Sequence, residues 1–334
     1  MTDGTSDFLR RTRGARKILV VDLGFLGDSV HLIPALWELR RQYPGAELHT
    51  LSAPVGAEIL ALAPCVTRAW AYPLGADAPP WWRQGGLIAA LRRERFDVAY
   101  NFSGADRTIF LTALSGARER LAQEGGRRHF WNRWLIPNWV ARRDRNLPIY
   151  EQRRQVLVAC GFSLEPARFD LALPAEAMAW ARQAASGRPV NLSINASGAI
   201  KEWPVSHWAE LVRGLWRARP DLTFVAACSG KAREQERLQA LAAALGDARL
   251  ATFPGLGIPR LAALLQSCRL HIGSDSGPLH LALALGTPTL ALFRQYEGMQ
   301  EWFAQGNAHR ALIASDLADI ASEAVTSEAL SLLN

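Results

Sequence analysis

Short, continuous apolar runs alternate along this chain with longer amphipathic segments. Lys17–Leu23 (KILVVDL) is a run without polar alternation, as expected of a strand buried on both faces of a parallel sheet. In the residues that follow, Gly24 and Gly27 permit a tight turn, and Asp28 or Ser29 starts a helix. Its apolar face carries Val30, Ile33 and Leu36 or Trp37. The helix ends near Tyr43–Pro44–Gly45, and Leu48–Leu51 begins a second strand. A strand, helix and strand in this order make a βαβ unit, hence an α/β class with a right-handed crossover. The turn is not the GxGxxG fingerprint, because its glycine spacing differs and an acid sits in it, so a nicotinamide cofactor is disfavoured.

The same alternation predicts helices near Val55–Ala61, Leu87–Arg95 and Thr108–Leu114, with strands near Ala69–Tyr72 and Val98–Phe102. A boundary falls within Glu165–Ser186, where LEPARFDLALP is extended and Pro-bearing and an Ala-rich helix follows it. Beyond it, strands Val190–Asn195, Thr223–Ala227 and Leu250–Thr252 alternate with helices Val205–Arg217, Arg233–Leu245 and Ile258–Gln266. Leu270–Phe293 (LHIGSDSGPLHLALALGTPTLALF) then reads as a buried strand, a hairpin of small polar residues, an apolar helix and a second buried strand. Pro278 suits the first helical position, Ser276 or Gly277 can cap, Gly286 fits just past the helix end, and Pro288 bars continuation. The expected architecture is two doubly wound, Rossmann-like domains facing a cleft, residues 1–170 and 171–315. Closing helices in 316–334 are free to pack back on the first.

Composition narrows the class. The 334 residues are 49% apolar and 21% charged, enough for two cores. Cys65, Cys160, Cys228 and Cys268 are far apart with no CxxC, as in a reducing compartment. The polar, basic start MTDGTSDFLRRTRGAR has no apolar core of a signal peptide, and no run of ~18 apolar residues predicts a membrane span. Lys and Arg exceed Asp and Glu by 38 − 31 = 7, and there are 12 tryptophans, which suggests an anionic partner. No nucleic-acid motif is present. Arg127–Arg145 (RRHFWNRWLIPNWVARRDR) concentrates the basic and aromatic residues. It reads equally as an amphipathic helix with core tryptophans and solvated arginines, or as a basic edge facing an anionic acceptor or lipid headgroups.

Three loops stand at the carboxyl ends of predicted strands, where open α/β sheets bind ligands. In Gly24–Ser29 (GFLGDS), Asp28 is either a helix cap or a carboxylate projected for general-base work. In Asn195–Pro204 (NASGAIKEWP), small residues allow close backbone approach and Lys201 brings a positive charge. That suits a diphosphate, although an ordinary surface lysine fits the pattern too. In the third loop, the backbone N–H groups around Ser276 and Gly277 suit a phosphate or carboxylate, while Asp275 and His280 read equally as structural hydrogen bonders.

Four stretches, in order, resemble glycosyltransferase family 9, the lipopolysaccharide heptosyltransferase family. They are KILVVDLGFLGDSVHLIPALWELRRQYPGAEL, FDVAYNFSGADRTIFLTALSGARERL, NASGAIKEWPVSHWAELV and HIGSDSGPLHLALALGTPTLALF. The resemblance implies a GT-B fold whose first half binds the acceptor and whose second half binds a nucleotide-sugar donor, typically ADP-heptose. By position, it makes Asp28 the catalytic base and gives donor phosphates to Ser197, Gly198 and Lys201. It gives donor sugar hydroxyls to Asp275, the rest of the second donor loop to Ser276, Gly277 and His280, and a nucleoside contact to Glu234. Two departures stand out. Asp22 replaces a basic residue common before the glycine turn, and RQYEGMQEW follows Phe293 in place of a Gly and Pro/Thr-rich loop bordering the donor pocket.

The implied reaction is an inverting transfer to an anionic glycolipid, the inner core of lipopolysaccharide, with Arg107 and Arg120 as candidates for its acidic groups. No cofactor or metal is expected. The expected location is cytoplasmic, peripheral on the anionic inner-membrane surface. Alternatives are the same fold transferring another sugar, a nucleotide-sugar epimerase, or a non-catalytic nucleotide-sugar or lipid-binding protein.

Overall fold

The computed structural model describes residues 6–74, 79, 81–125, 129–141, 144, 146–303 and 306–334. The chain divides into two units, Met1–Ala172 and Leu173–Asn334. The first runs α1 (Phe8–Thr12), β1 (Lys17–Val21), α2 (Leu26–Gln42), β2 (Glu47–Ser52), α3 (Pro54–Leu60), β3 (Arg68–Ala71), α4 (Gly85–Glu94) and β4 (Val98–Asn101). It continues with α5 (Asp106–Leu114), β5 (Glu119–Gln123), α6 (Asn132–Leu135), β6 (Asn138–Val140) and α7 (Ile149–Ala159). The second runs α8 (Ala175–Ala184), β7 (Val190–Ser193), α9 (Val205–Ala218), β8 (Phe224–Cys228), α10 (Ala232–Leu245), β9 (Leu250–Pro254) and α11 (Ile258–Ser267). It ends with β10 (Leu270–Ser274), α12 (Gly277–Ala284), β11 (Thr289–Arg294), β12 (His309–Ala314) and α13 (Ser322–Leu333).

Each unit holds a six-stranded parallel sheet, β3-β2-β1-β4-β5-β6 in the first and β9-β8-β7-β10-β11-β12 in the second. Both follow the Rossmann order, so each reverses direction once, between β1 and β4 and between β7 and β10. Ile18 to Val21 and Leu270 to Ser274 are buried throughout, which is why they carry no polar alternation. On α9, Trp208, Leu211, Val212 and Leu215 recur at helical spacing and are fully buried, each contributing about 1.5–3 kcal/mol.

Several expectations change. α2 begins at Leu26, so Asp28 is its third residue and not its cap. α12 begins at Gly277 behind Ser276, which puts Pro278 at the second helical position, where its missing N–H is equally harmless. Gly286, at φ +71°, takes the left-handed position past the helix end, as its placement predicted. The described part of Arg127–Arg145 is a single turn, α6, and a three-residue edge strand, β6, rather than a long amphipathic helix, because Pro137 bars continuation. Arg127, Arg128, Arg142, Arg143 and Arg145 lie outside the described residues. The closing helix α13 lies on α9 within the second unit. Val325 and Ala329 are buried there, and Gly214 admits Thr326 so closely that an added Cβ would sit 3.0 Å from its hydroxyl. The tryptophans are mostly half-buried: among those with described side chains Trp70, Trp203 and Trp208 are core and Trp134 alone is exposed, and Trp203 donates from inside the second core to the Ile320 carbonyl.

Candidate functional site

The loops at the two reversal points collect most of the residues singled out in the sequence. In the first unit β1 leads through Asp22–Phe25 into α2. The turn is tight: a Cβ on Gly24 would stand 2.2 Å from the Asp28 Cβ, so only glycine fits. The Asp28 carboxylate, about a quarter exposed, accepts the Phe25 N–H at 2.9 Å, and Asp22 accepts the Gly24 N–H at 2.9 Å.

The charge beside these two acids comes from Arg153 on α7, a residue not singled out in the sequence. Its guanidinium pairs with Asp22 at 2.7 Å, donates to the Asp28 carbonyl, and lies 3.6 Å from the Asp28 carboxylate. Burial pushes the Asp22 carboxyl above its ordinary value, Arg153 pulls it back, and the neighbouring Asp28 charge raises it again. Arg107, in the first turn of α5 after β4, is exposed at the same sheet edge. Arg120 is not: it lies near the start of β5, and its guanidinium donates to the Leu135 and Ala117 carbonyls. Its candidacy as an acceptor contact is therefore corrected to a structural role.

In the second unit Lys201 and Asp275, 74 residues apart, form an ion pair at 2.6 Å. Lys201 sits in a short 3-10 turn after β7, held by Glu202, which accepts the Ala196 N–H and pairs with Arg233 at 2.6 Å. Asp275 follows β10 directly. Its Oδ1 lies 3.5 Å from His280 Nε2, and Tyr296 donates at 3.2 Å to Oδ2, the oxygen that takes Lys201. Burial raises the Asp275 carboxyl, but His280 and Lys201 outweigh that and hold it below the usual carboxylate range. Ser276 caps α12 with extended backbone, while its hydroxyl is buried without a partner among the described atoms. Ser197 is exposed, Gly198 half-buried and extended. Glu234, in the first turn of α10, spends one oxygen on the Ser229 N–H and hydroxyl, and its carbonyl faces Asn195 in the Lys201 loop.

Beneath this site His271 is fully buried, and burial pushes it down to about 3, with His280 adding to the fall. Its Nδ1–H donates to Asn191 Oδ1 at 2.9 Å, so Nε2 is left as an acceptor. That nitrogen lies over Gly273, where a Cβ would stand 2.7 Å away.

The described residues also bring Glu47, His49 and Glu94 within reach of one metal ion, at the opposite end of the first sheet. Lys17 already pairs with both carboxylates, at 3.3 and 2.7 Å, and Arg68 adds a contact to Glu94 at 3.2 Å. Trp70 donates its indole N–H to His49 Nδ1 at 3.2 Å, which leaves the ring proton on Nε2, facing Glu47. The ring therefore offers no lone pair toward the carboxylates, and the cluster is built as an ion-pair network.

Known proteins match this arrangement along the length of the chain. Lipopolysaccharide heptosyltransferase 1 of Pseudomonas aeruginosa is 28% identical over 303 residues, covering 83% of this chain and 78% of that protein. The solved structure of an Escherichia coli ADP-heptose lipopolysaccharide heptosyltransferase II superposes with a TM-score of 0.77 at 20% identity, over 95% of this chain and 98% of that one. A family 9 glycosyl transferase from Veillonella parvula gives 0.79 at 17% identity, over 100% of both. A family model described as glycosyltransferase family 9 (heptosyltransferase) matches residues 85–317. Because that match spans well over half of the sequence, the chain belongs to glycosyltransferase family 9, the heptosyltransferase family, and is a glycosyltransferase of the GT-B fold.

Proposed function

We propose that the protein transfers heptose from ADP-heptose to the inner core of lipopolysaccharide by one inverting displacement. The observation that carries this reading is the Lys201–Asp275 pair beside the start of α12 at the second reversal point, a cation and free backbone donors together with an acid. Lys201, with Ser197 and Gly198, holds the donor diphosphate, and the N–H groups behind Ser276 and Gly277 face its charge. Asp275 accepts from sugar hydroxyls, His280 orients it, and Glu234 lies toward the nucleoside. The Pseudomonas relative and the Escherichia coli neighbour, named for this chemistry, support the choice of sugar and nucleotide.

Asp28 acts as general base. An acceptor oxygen bonds to the anomeric carbon as the bond from that carbon to the diphosphate oxygen breaks, and ADP leaves with the electron pair. The hydroxyl proton passes to the Asp28 carboxylate. Lys201 and the helix start stabilise the charge that develops on the leaving group. Arg107 meets the acidic groups of the acceptor. The acceptor is a membrane glycolipid, and no helix among the described residues is long and apolar enough to cross a membrane. Arg133 with the exposed Phe130 and Trp134 brings the enzyme to the anionic cytoplasmic surface as a peripheral protein.

The test is ADP release from ADP-heptose with and without heptose-deficient lipopolysaccharide. Release that requires the acceptor, with heptose appearing on it, is the expected result. Turnover of the donor sugar without acceptor would make the protein an epimerase, and ADP-heptose binding without turnover would make it a binding protein.

A further inference from the structure

The second sequence departure, RQYEGMQEW, folds onto Asp275. Gly298, at φ +87°, turns the chain after β11, and the Met299–Glu301 turn follows. Tyr296 thereby reaches Asp275 Oδ2, the same oxygen that takes Lys201 Nζ. The Lys201 ammonium also lies 5.6 Å from the Tyr296 ring centre, and Trp302 stands 5.5 Å from the His280 ring. The loop thus supplies an aromatic border to both sides of one buried carboxylate.

A carboxylate oxygen has about two lone-pair positions. With Lys201 and Tyr296 both on Oδ2, that oxygen is full, while Oδ1 faces His280. A sugar hydroxyl can therefore bond to Oδ2 only where one of these two donors leaves it. Lys201 is the one that can: its side chain is about a third exposed, and a diphosphate offers it more negative charge than a carboxylate shared with other donors. Tyr296 is half-buried and packs against the core cluster formed by Leu279, Ala291, Phe293 and Phe303. Burial and the adjacent Asp275 charge push its phenol above the ordinary value, so it stays a donor at neutral pH.

We infer that Tyr296 is a positioning residue that sets donor-sugar recognition: its hydroxyl holds Asp275 Oδ2 in place when Lys201 turns to the diphosphate, leaving one lone pair of that oxygen for a sugar hydroxyl. The inference rests on the donor reading given above. It separates the two halves of the donor, since Tyr296 acts on the sugar through Asp275 and not on the nucleotide.

Calorimetric titration of wild type, Tyr296→Phe and Lys201→Ala with ADP and with ADP-heptose tests it. Phe keeps the ring and its packing, and a melting curve checks the fold. Tyr296→Phe should bind ADP within about twofold of wild type and ADP-heptose roughly tenfold more weakly, the effect of one hydrogen bond to a charged group. Wild-type affinity for ADP-heptose overturns the inference, and so does an equal loss for both ligands. Lys201→Ala reports on the donor reading separately: unchanged affinity for ADP there would overturn the phosphate assignment, whatever Tyr296→Phe does.

Discussion

Replacing Arg153 with Met should destabilise the first unit, by an amount that depends on pH in a calculable way. The substitution keeps much of the apolar stem but leaves Asp22, whose side chain is 4% exposed, without the cation 2.7 Å away. Breaking a buried pair from one side costs about 3–5 kcal/mol. Asp22 can instead take up a proton, which sets a ceiling of about 1.4 kcal/mol for every pH unit above its ordinary value of about 3.9. That ceiling is about 4 kcal/mol at pH 7 and about 1.5 kcal/mol at pH 5. The sign follows from the raised carboxyl. A group with a raised folded-state pKa contributes stability that is fully present below its unfolded value and is lost as pH rises through the folded one. The deficit of Arg153→Met against wild type should therefore grow from pH 5 to pH 7, by at most about 2.5–3 kcal/mol. The lost bond to the Asp28 carbonyl adds a part that is independent of pH and cancels in the comparison. Urea unfolding followed by tryptophan fluorescence at both pH values measures it. At pH 7 the melting temperature should fall by roughly 8–16 °C. Adding Asp22→Asn should remove the pH dependence. A deficit equal at pH 5 and pH 7 would refute Asp22 as the stranded charge.

Asp28→Asn keeps an acceptor for the Phe25 N–H, so the melting temperature should stay close to wild type while kcat falls by roughly 10²–10⁴; a kcat within a fewfold of wild type would end the general-base reading. Gly24→Ala should lower both melting temperature and kcat, because its Cβ and that of Asp28 cannot stand 2.2 Å apart, and wild-type values for both would mean that the turn is free to shift. The double substitution Phe130→Ser with Trp134→Ser should weaken co-sedimentation with anionic vesicles, and binding by wild type should fall as salt shortens the Debye length from ~10 Å at 0.1 M toward ~3 Å at 1 M. Salt-independent binding by wild type would remove the electrostatic part of the membrane reading.

The sequence by itself determined the elements whose environment is uniform. KILVV and LHIGS are buried on both faces, so no partner is needed to recognise them as strands. Glycine, proline and helix-start signals placed the loops after β1, β7 and β10, since these depend on backbone geometry within a few residues. β5, β6 and β12 were not foreseen: they are edge or near-edge strands and only partly buried, and β5 and β6 leave no apolar run. Nor was helix α7, whose adjacent arginines look alike in sequence.

Only the tertiary structure decided which charges meet. Arg153 lies 125 residues from Asp28, and nothing local reveals that it pairs with Asp22. Lys201 and Asp275 meet because the strand order makes β7 and β10 neighbours. Tyr296 meets Asp275 through a loop after β11 whose sequence pointed away from the family pattern. Arg120 and the buried tryptophans show the converse, since composition counts charges and rings without saying which way they face. Periodicity reports the surroundings of a residue's own face, whereas an ion pair between elements depends on strand order and loop path, which are settled by packing the whole unit.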